Sequence, residues 1–137
     1  MLNNHNQGRL GEEYVKEYLE NHGYKKVDYA KTTNGCDLLA YKTKTSKPLK
    51  IEVKTTKKHI GMPDMFESEC KNGRLVADEL FIVELTQTNK IKDVFRITKT
   101  VFDLYQDKHR TKTMTIVASA LKTEIRKNSD KYKIEIN

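Results

Sequence analysis

Glu52 and Lys54 stand two residues apart in Ile51-Glu52-Val53-Lys54-Thr55-Thr56, where apolar and charged residues alternate. In a β-strand successive side chains point to opposite faces. Ile51 and Val53 therefore suit a packed core, while Glu52 and Lys54 share the other face. Upstream, Gly35-Cys36-Asp37-Leu38 brings a second acid at the start of another strand. With a hairpin between them, Asp37 and Glu52 can return to neighbouring strands. Two carboxylates and an ammonium at one spot are costly unless they bind something, and a divalent metal with a phosphate would satisfy all three. Hydrolysis of a phosphodiester needs an activated water and neutralised phosphate charge. Mg²⁺ supplies both and prefers hard oxygen ligands. Asp37 and Glu52 would be the carboxylate ligands and the Val53 carbonyl a third. Lys54 would position or help deprotonate the water, or stabilise the developing charge. The plain alternative is a cross-strand ion pair on a solvated sheet face.

A helix is expected from Asn4 or Asn6 to about His22, with Gly23 as its stop. Leu10, Gly11, Tyr14, Val15, Tyr18 and Leu19 fall on one half of its wheel. Gly8 falls on the same side, and two glycines there would permit close approach to a sheet or a nucleic acid. Of the helix acids, Glu12 lies at the border of the apolar stripe. It either looks toward the sheet or pairs with Lys16 one turn on.

Strands are expected over Lys25–Lys31, Asp37–Thr43 and Leu49–Thr55, with a turn at Thr32–Gly35 and a basic hairpin at Lys44–Pro48. Connections this short imply an antiparallel meander. A basic loop follows from Thr56 to Phe66, then a weak helix over Glu67–Ala77, strands over Leu80–Thr86 and Ile91–Thr98, and a turn at Asn89-Lys90. A helix to about His109 would carry Val101, Leu104 and Tyr105 on one face. A short strand at Thr113–Ala118, a helix over Ala120–Lys127 and an edge strand at Tyr132–Ile136 complete the pattern. The expectation is one α/β domain over residues 1–137.

The chain carries 26 Lys and Arg against 19 Asp and Glu, a net charge of +7. Such an excess fits a polyanionic partner, although lysines also simply keep small proteins in solution. Lys42, Lys57 and Lys58 are the candidates for phosphate contact, with Lys44 and Lys47 reading equally well as solvated loop. Tyr41 reads as sheet packing rather than base stacking. The cysteines, Cys36 and Cys70, lack the spacing of a zinc site or a disulfide framework, and no histidines pair at helical spacing. The N-terminus has no signal-peptide pattern and the longest apolar run, Leu80–Val83, is far too short for a bilayer. A cytoplasmic protein without membrane association is expected.

The segment resembles the PD-(D/E)xK, restriction-endonuclease-like superfamily. Gly35-Cys36-Asp37 matches its acidic motif and Ile51-Glu52-Val53-Lys54 its E-x-K motif. Cys36 stands where the motif's name has proline, a position that varies across the superfamily. Leu10-Gly11-Glu12-Glu13 resembles the first helix of Holliday-junction-resolvase-like and Mrr-like members, in several of which a helix Glu joins the metal site, as Glu12 would here. The string I-E-V-K-T-T with Phe66–Glu69 is also similar to domains related to the C-terminal part of the plant No Vein protein. The resemblance covers about residues 7 to 85; nothing specific is recognised beyond Thr86. It implies a mixed central sheet flanked by helices and a Mg²⁺-dependent DNA endonuclease, with Mn²⁺ as substitute. The setting would be restriction, mobile-element or recombination biology, and a homodimer or partner subunit is plausible for double-strand cutting. Two other readings stand beside it: a non-catalytic nucleic-acid-binding module on the same fold, and a structural ion-pair patch on a protein-binding domain.

Overall fold

A computed structural model describes residues 4–30, 36–57, 70–71, 74–108 and 118–136. In chain order the elements are α1 (Asn4–Glu20), β1 (Lys26–Tyr29), β2 (Leu38–Tyr41), β3 (Leu49–Thr56), β4 (Cys70–Lys71) and β5 (Arg74–Leu75). They continue with β6 (Glu79–Leu85), β7 (Ile91–Thr98), α2 (Lys99–Lys108), α3 (Ala118–Lys127) and α4 (Ser129–Tyr132). Five strands form one mixed sheet in the order β1-β2-β3-β6-β7. The first three are the expected antiparallel meander; β3 then pairs with β6 in parallel, and β6 with β7 antiparallel. Strands β4 and β5 form a separate ribbon.

The alternation in β3 feeds one core, and that in β6 feeds a core on each face. Ile51 and Val53 join Phe81, Val83 and Val94 beneath Val15 and Leu19 of α1. Leu80, Ile82, Phe95 and Ile97 face the other way, under Leu75, Phe102, Ile125 and Tyr132. Each such aliphatic side chain contributes about 1.5–3 kcal/mol when taken from water. Glycine decides how close α1 comes. A Cβ on Gly11 would collide with Thr55 Oγ1, whereas one on Gly8 would meet nothing within 4 Å. Of the two glycines on the apolar side, Gly11 alone makes the close approach. Gly23, at φ 98°, ends the helical turn as expected.

Asp78 fixes the start of the parallel pair. Its carboxylate accepts the Lys50 N–H at 2.8 Å, while its own N–H donates to the Lys50 carbonyl at 2.8 Å. Its carbonyl accepts the Lys99 N–H at the start of α2. On the α1 side, Arg96 reaches across to Glu79 with Nε and Nη2, at 2.5 and 2.9 Å. That bond holds the guanidinium's pKa above its ordinary value, outweighing the opposite pull of burial.

Several expectations change. The helix over Glu67–Ala77 is replaced, within the described residues, by β4 and β5. Leu75 is buried, its N–H bonded to Asp103 and its carbonyl to Lys99, so its backbone partners lie on α2 rather than in a helix of its own. The same grip sets the rotation of α2: Phe102 turns inward and Leu104 is 66% exposed, not on the buried face. The Tyr105 side chain lies outside the description. Tyr132 ends α4 instead of opening a strand; a single bridge joins Lys133 to Phe95, and the Ile134 N–H donates to the Val94 carbonyl. The turn expected at 32–35 and nearly all of the strand expected at 113–118 lie outside the described residues, and Ala118 opens α3. Among the described residues, no helix is long and apolar enough to cross a membrane.

The two glycines of α1 should respond oppositely. Gly11→Ala forces α1 off Thr55 and is expected to destabilise by about 1–3 kcal/mol. Gly8→Ala, with open space, gains about 1 kcal/mol of helix propensity. Urea unfolding of both variants beside the parent checks the pair.

Candidate active site

Asp37 precedes β2 and is tied to β3 twice. Its N–H donates to the Ile51 carbonyl, and its Oδ2 accepts the Val53 N–H, both at 2.8 Å. The side chain thus takes the acceptor's place just where the β2–β3 ladder ends. A residue's N–H and C=O leave a strand by the same edge, so the Val53 carbonyl also leaves on the Asp37 side. The expected carbonyl donor and the first acid meet at one point along β3.

Glu52 and Lys54 lie on the face opposite Ile51 and Val53, in register with Leu80 and Ile82 of β6. Glu52 is 5% exposed, and its Oε2 is 3.8 Å from Lys54 Nζ. Alternation along β2 puts Leu39 and Tyr41 on this face too, opposite Leu38 and Ala40 of the α1-side core. Asp37 is bonded to Val53, the residue that stands between Glu52 and Lys54 on β3. The two carboxylates and the Val53 carbonyl offer hard oxygens, a donor set that fits Mg²⁺ with retained waters. Among the described residues, no group of three or more His, Cys, Asp or Glu is placed to hold a metal ion.

The other candidates are spread more widely. Glu12 is half-buried while Glu13, Glu17 and Glu20 are exposed, as its border position implied. It follows Gly11, the residue that meets Thr55, but α1 packs on the sheet face opposite Glu52. Lys16 pairs with Glu20 at 3.0 Å. Lys42 follows β2 on the α1 side and lies over the Tyr24 ring, 4.9 Å from its centroid. Lys57 Nζ donates to the Gln87 carbonyl of the β6–β7 turn at 3.4 Å. Lys58 lies outside the described residues.

Two acids of the β6 segment were not singled out from the sequence. Asp78 holds β3 through Lys50, and an acid just before an apolar strand was its only signal. Glu84 is 1% exposed, shares the parity of Leu80 and Ile82, and is in register with Thr56. Its signal was an acid inside the apolar run of β6. Cys36, beside Asp37, packs against the core over Leu80. Burial pushes its thiol above the ordinary range, reinforced by Glu52 and Asp37 and opposed by its bond to Ile51 and by Lys50.

Asp37 should separate structure from charge. Asp37→Ala leaves the Val53 N–H without its acceptor and should cost about 1–3 kcal/mol. Asp37→Asn retains an oxygen for that bond and should unfold close to the parent in urea. In a Cys70→Ser background, Cys36 should react with iodoacetamide at pH 8 more slowly than in the unfolded chain, because the folded thiol stays protonated; mass spectrometry of the labelled protein follows the rate.

The chain matches no protein-family model and no curated protein. Its function is therefore read from these side chains.

Proposed function

We propose that the chain is a metal-dependent endonuclease that hydrolyses phosphodiester bonds in DNA, built on a restriction-endonuclease-like core. The observation that carries this reading is the bond of Asp37 to the Val53 N–H at the end of the β2–β3 ladder, with Glu52 and Lys54 on either side of Val53. The element order supports it: a helix, an antiparallel meander and a parallel fourth strand in a mixed sheet.

Asp37, Glu52 and the Val53 carbonyl would hold a Mg²⁺ ion, which when bound supplies an activated water and neutralises phosphate charge. Lys54 stands beside the carboxylates with its amine partly exposed. From there it would orient the attacking water and stabilise charge building on the phosphate. Burial of Glu52 on an apolar wall of Leu80 and Ile82 lowers the local dielectric and strengthens both effects. DNA is the polyanion that the basic composition suits.

Cleavage of supercoiled plasmid and of a four-way junction, in Mg²⁺ or Mn²⁺ against EDTA, tests this reading. The parent should cut only with metal, and Lys54→Ala and Asp37→Asn should each lose about 10²-fold or more. A parent that binds DNA but cuts in neither metal would replace the nuclease with a binding module. Equal cutting by parent and variants would remove these residues from the site.

A further inference from the structure

The half of the site's face formed by β1, β2 and β3 carries side chains that the reaction does not use. Tyr41 is in register with Lys26, and Leu39 with Lys50 on one side and Asp28 on the other. By strand alternation all of them share the face of Glu52 and Lys54. Lys26 Nζ lies 5.4 Å from the Tyr41 ring centroid, held also by Asp28 at 3.1 Å. Leu39 and Tyr41 are half-buried, yet among the described residues they join neither core. The helix α1 covers the opposite face, and α2 and α4 lie against β7. The Tyr41 end is also basic: Lys26 and Lys50 share its face, Lys44 and Lys47 lie in the adjoining β2–β3 loop, and no acid occurs from Leu38 to Ile51.

We infer that this half-face seats an unpaired stretch of the DNA substrate, with a base stacked on Tyr41 and the backbone following the lysines toward Asp37. A uniform duplex hides its base faces in its own stack and needs only phosphate contacts. A partly exposed aromatic ring on a sheet face, beside cations, contributes when a base face is offered to it. From Tyr41 to Asp37 the strand runs about 13 Å at ~3.3 Å per residue. The stacked base is thus near the bond to be cut but not at it. This seat rests on the nuclease reading for its role, and it makes the substrate a single-stranded, flapped or branched DNA.

The test is binding in EDTA, so that cleavage plays no part. Fluorescence anisotropy of the full chain compares one labelled oligonucleotide as single strand, splayed-arm duplex and blunt duplex. The parent should prefer the first two. Tyr41→Leu, which keeps an apolar side chain without a π face, should weaken them roughly 5- to 100-fold, the loss expected for one base–aromatic stack. Tyr41→Phe should bind as the parent, and blunt-duplex binding should be unchanged in both. In the unmutated protein, a bromouracil-substituted single strand should crosslink to the peptide containing Tyr41, a readout that needs no variant to fold. Equal or tighter binding of blunt duplex by the parent, binding indifferent to Tyr41→Leu, or crosslinks confined to other peptides would each overturn the seat. A chain that binds unpaired DNA through Tyr41 but never cuts keeps the seat and loses the nuclease; one that cuts while treating all three DNAs alike does the reverse.

Discussion

Strand β3 is bonded along both edges and packed on both faces, and its register is the constraint on which the rest depends. A slip of one residue would turn Ile51 and Val53 away from α1 and bring Glu52 and Lys54 under it. The cost would be the loss of aliphatic burial on one side and two charges forced into the other. Asp78 resists that slip at one end through its paired bonds with Lys50. Asp37 does the same further along through Ile51 and Val53. Gly11 against Thr55 sets the depth of α1 over the same strand. Two acids far apart in sequence thus hold one backbone, and Asp37 is also the one proposed to do chemistry.

The sheet treats its buried acids differently. Glu79 is gripped by the Arg96 fork at hydrogen-bond distance, a bidentate geometry that engages both carboxylate oxygens. Lys54 stands 3.8 Å from Glu52, beyond hydrogen-bond reach. Removing one member of a tight buried pair leaves an uncompensated charge and costs heavily. Glu79 and Arg96 are thus part of the framework. The chemical role proposed for Glu52 rests instead on its place beside Lys54 on one face of β3 and next to Val53, which Asp37 holds.

Much of this was legible in the sequence because it rests on periodicity. The alternation of β3, the apolar stripe of α1 and the bounds of β7 follow from which positions are apolar. The shared face of Glu52 and Lys54 follows from the same parity, and the half-burial of Glu12 from its place on the wheel. Less legible were features set by contacts distant in sequence. Leu75 takes its backbone partners from Lys99 and Asp103, so local propensity said helix where the fold makes a ribbon. That grip also turned Leu104 outward. The Asp78 bonds needed the parallel pairing of β3 with β6, which no local pattern announces. Tyr41 reads as sheet packing from its strand, and it is half-buried with Lys26 over its ring, while among the described residues neither core includes it.

The uneven covering of the sheet separates two kinds of mutational freedom. Strand β6 is buried at every position from Glu79 to Leu85, so any change there is felt as lost stability. Positions 26, 39 and 41 are only partly covered and lie on the same sheet. Substitutions there change the character of the surface while leaving β6 intact. In the proposed seat, binding preference would therefore change separately from the stability of β6, which pairs with the strand that carries Glu52 and Lys54.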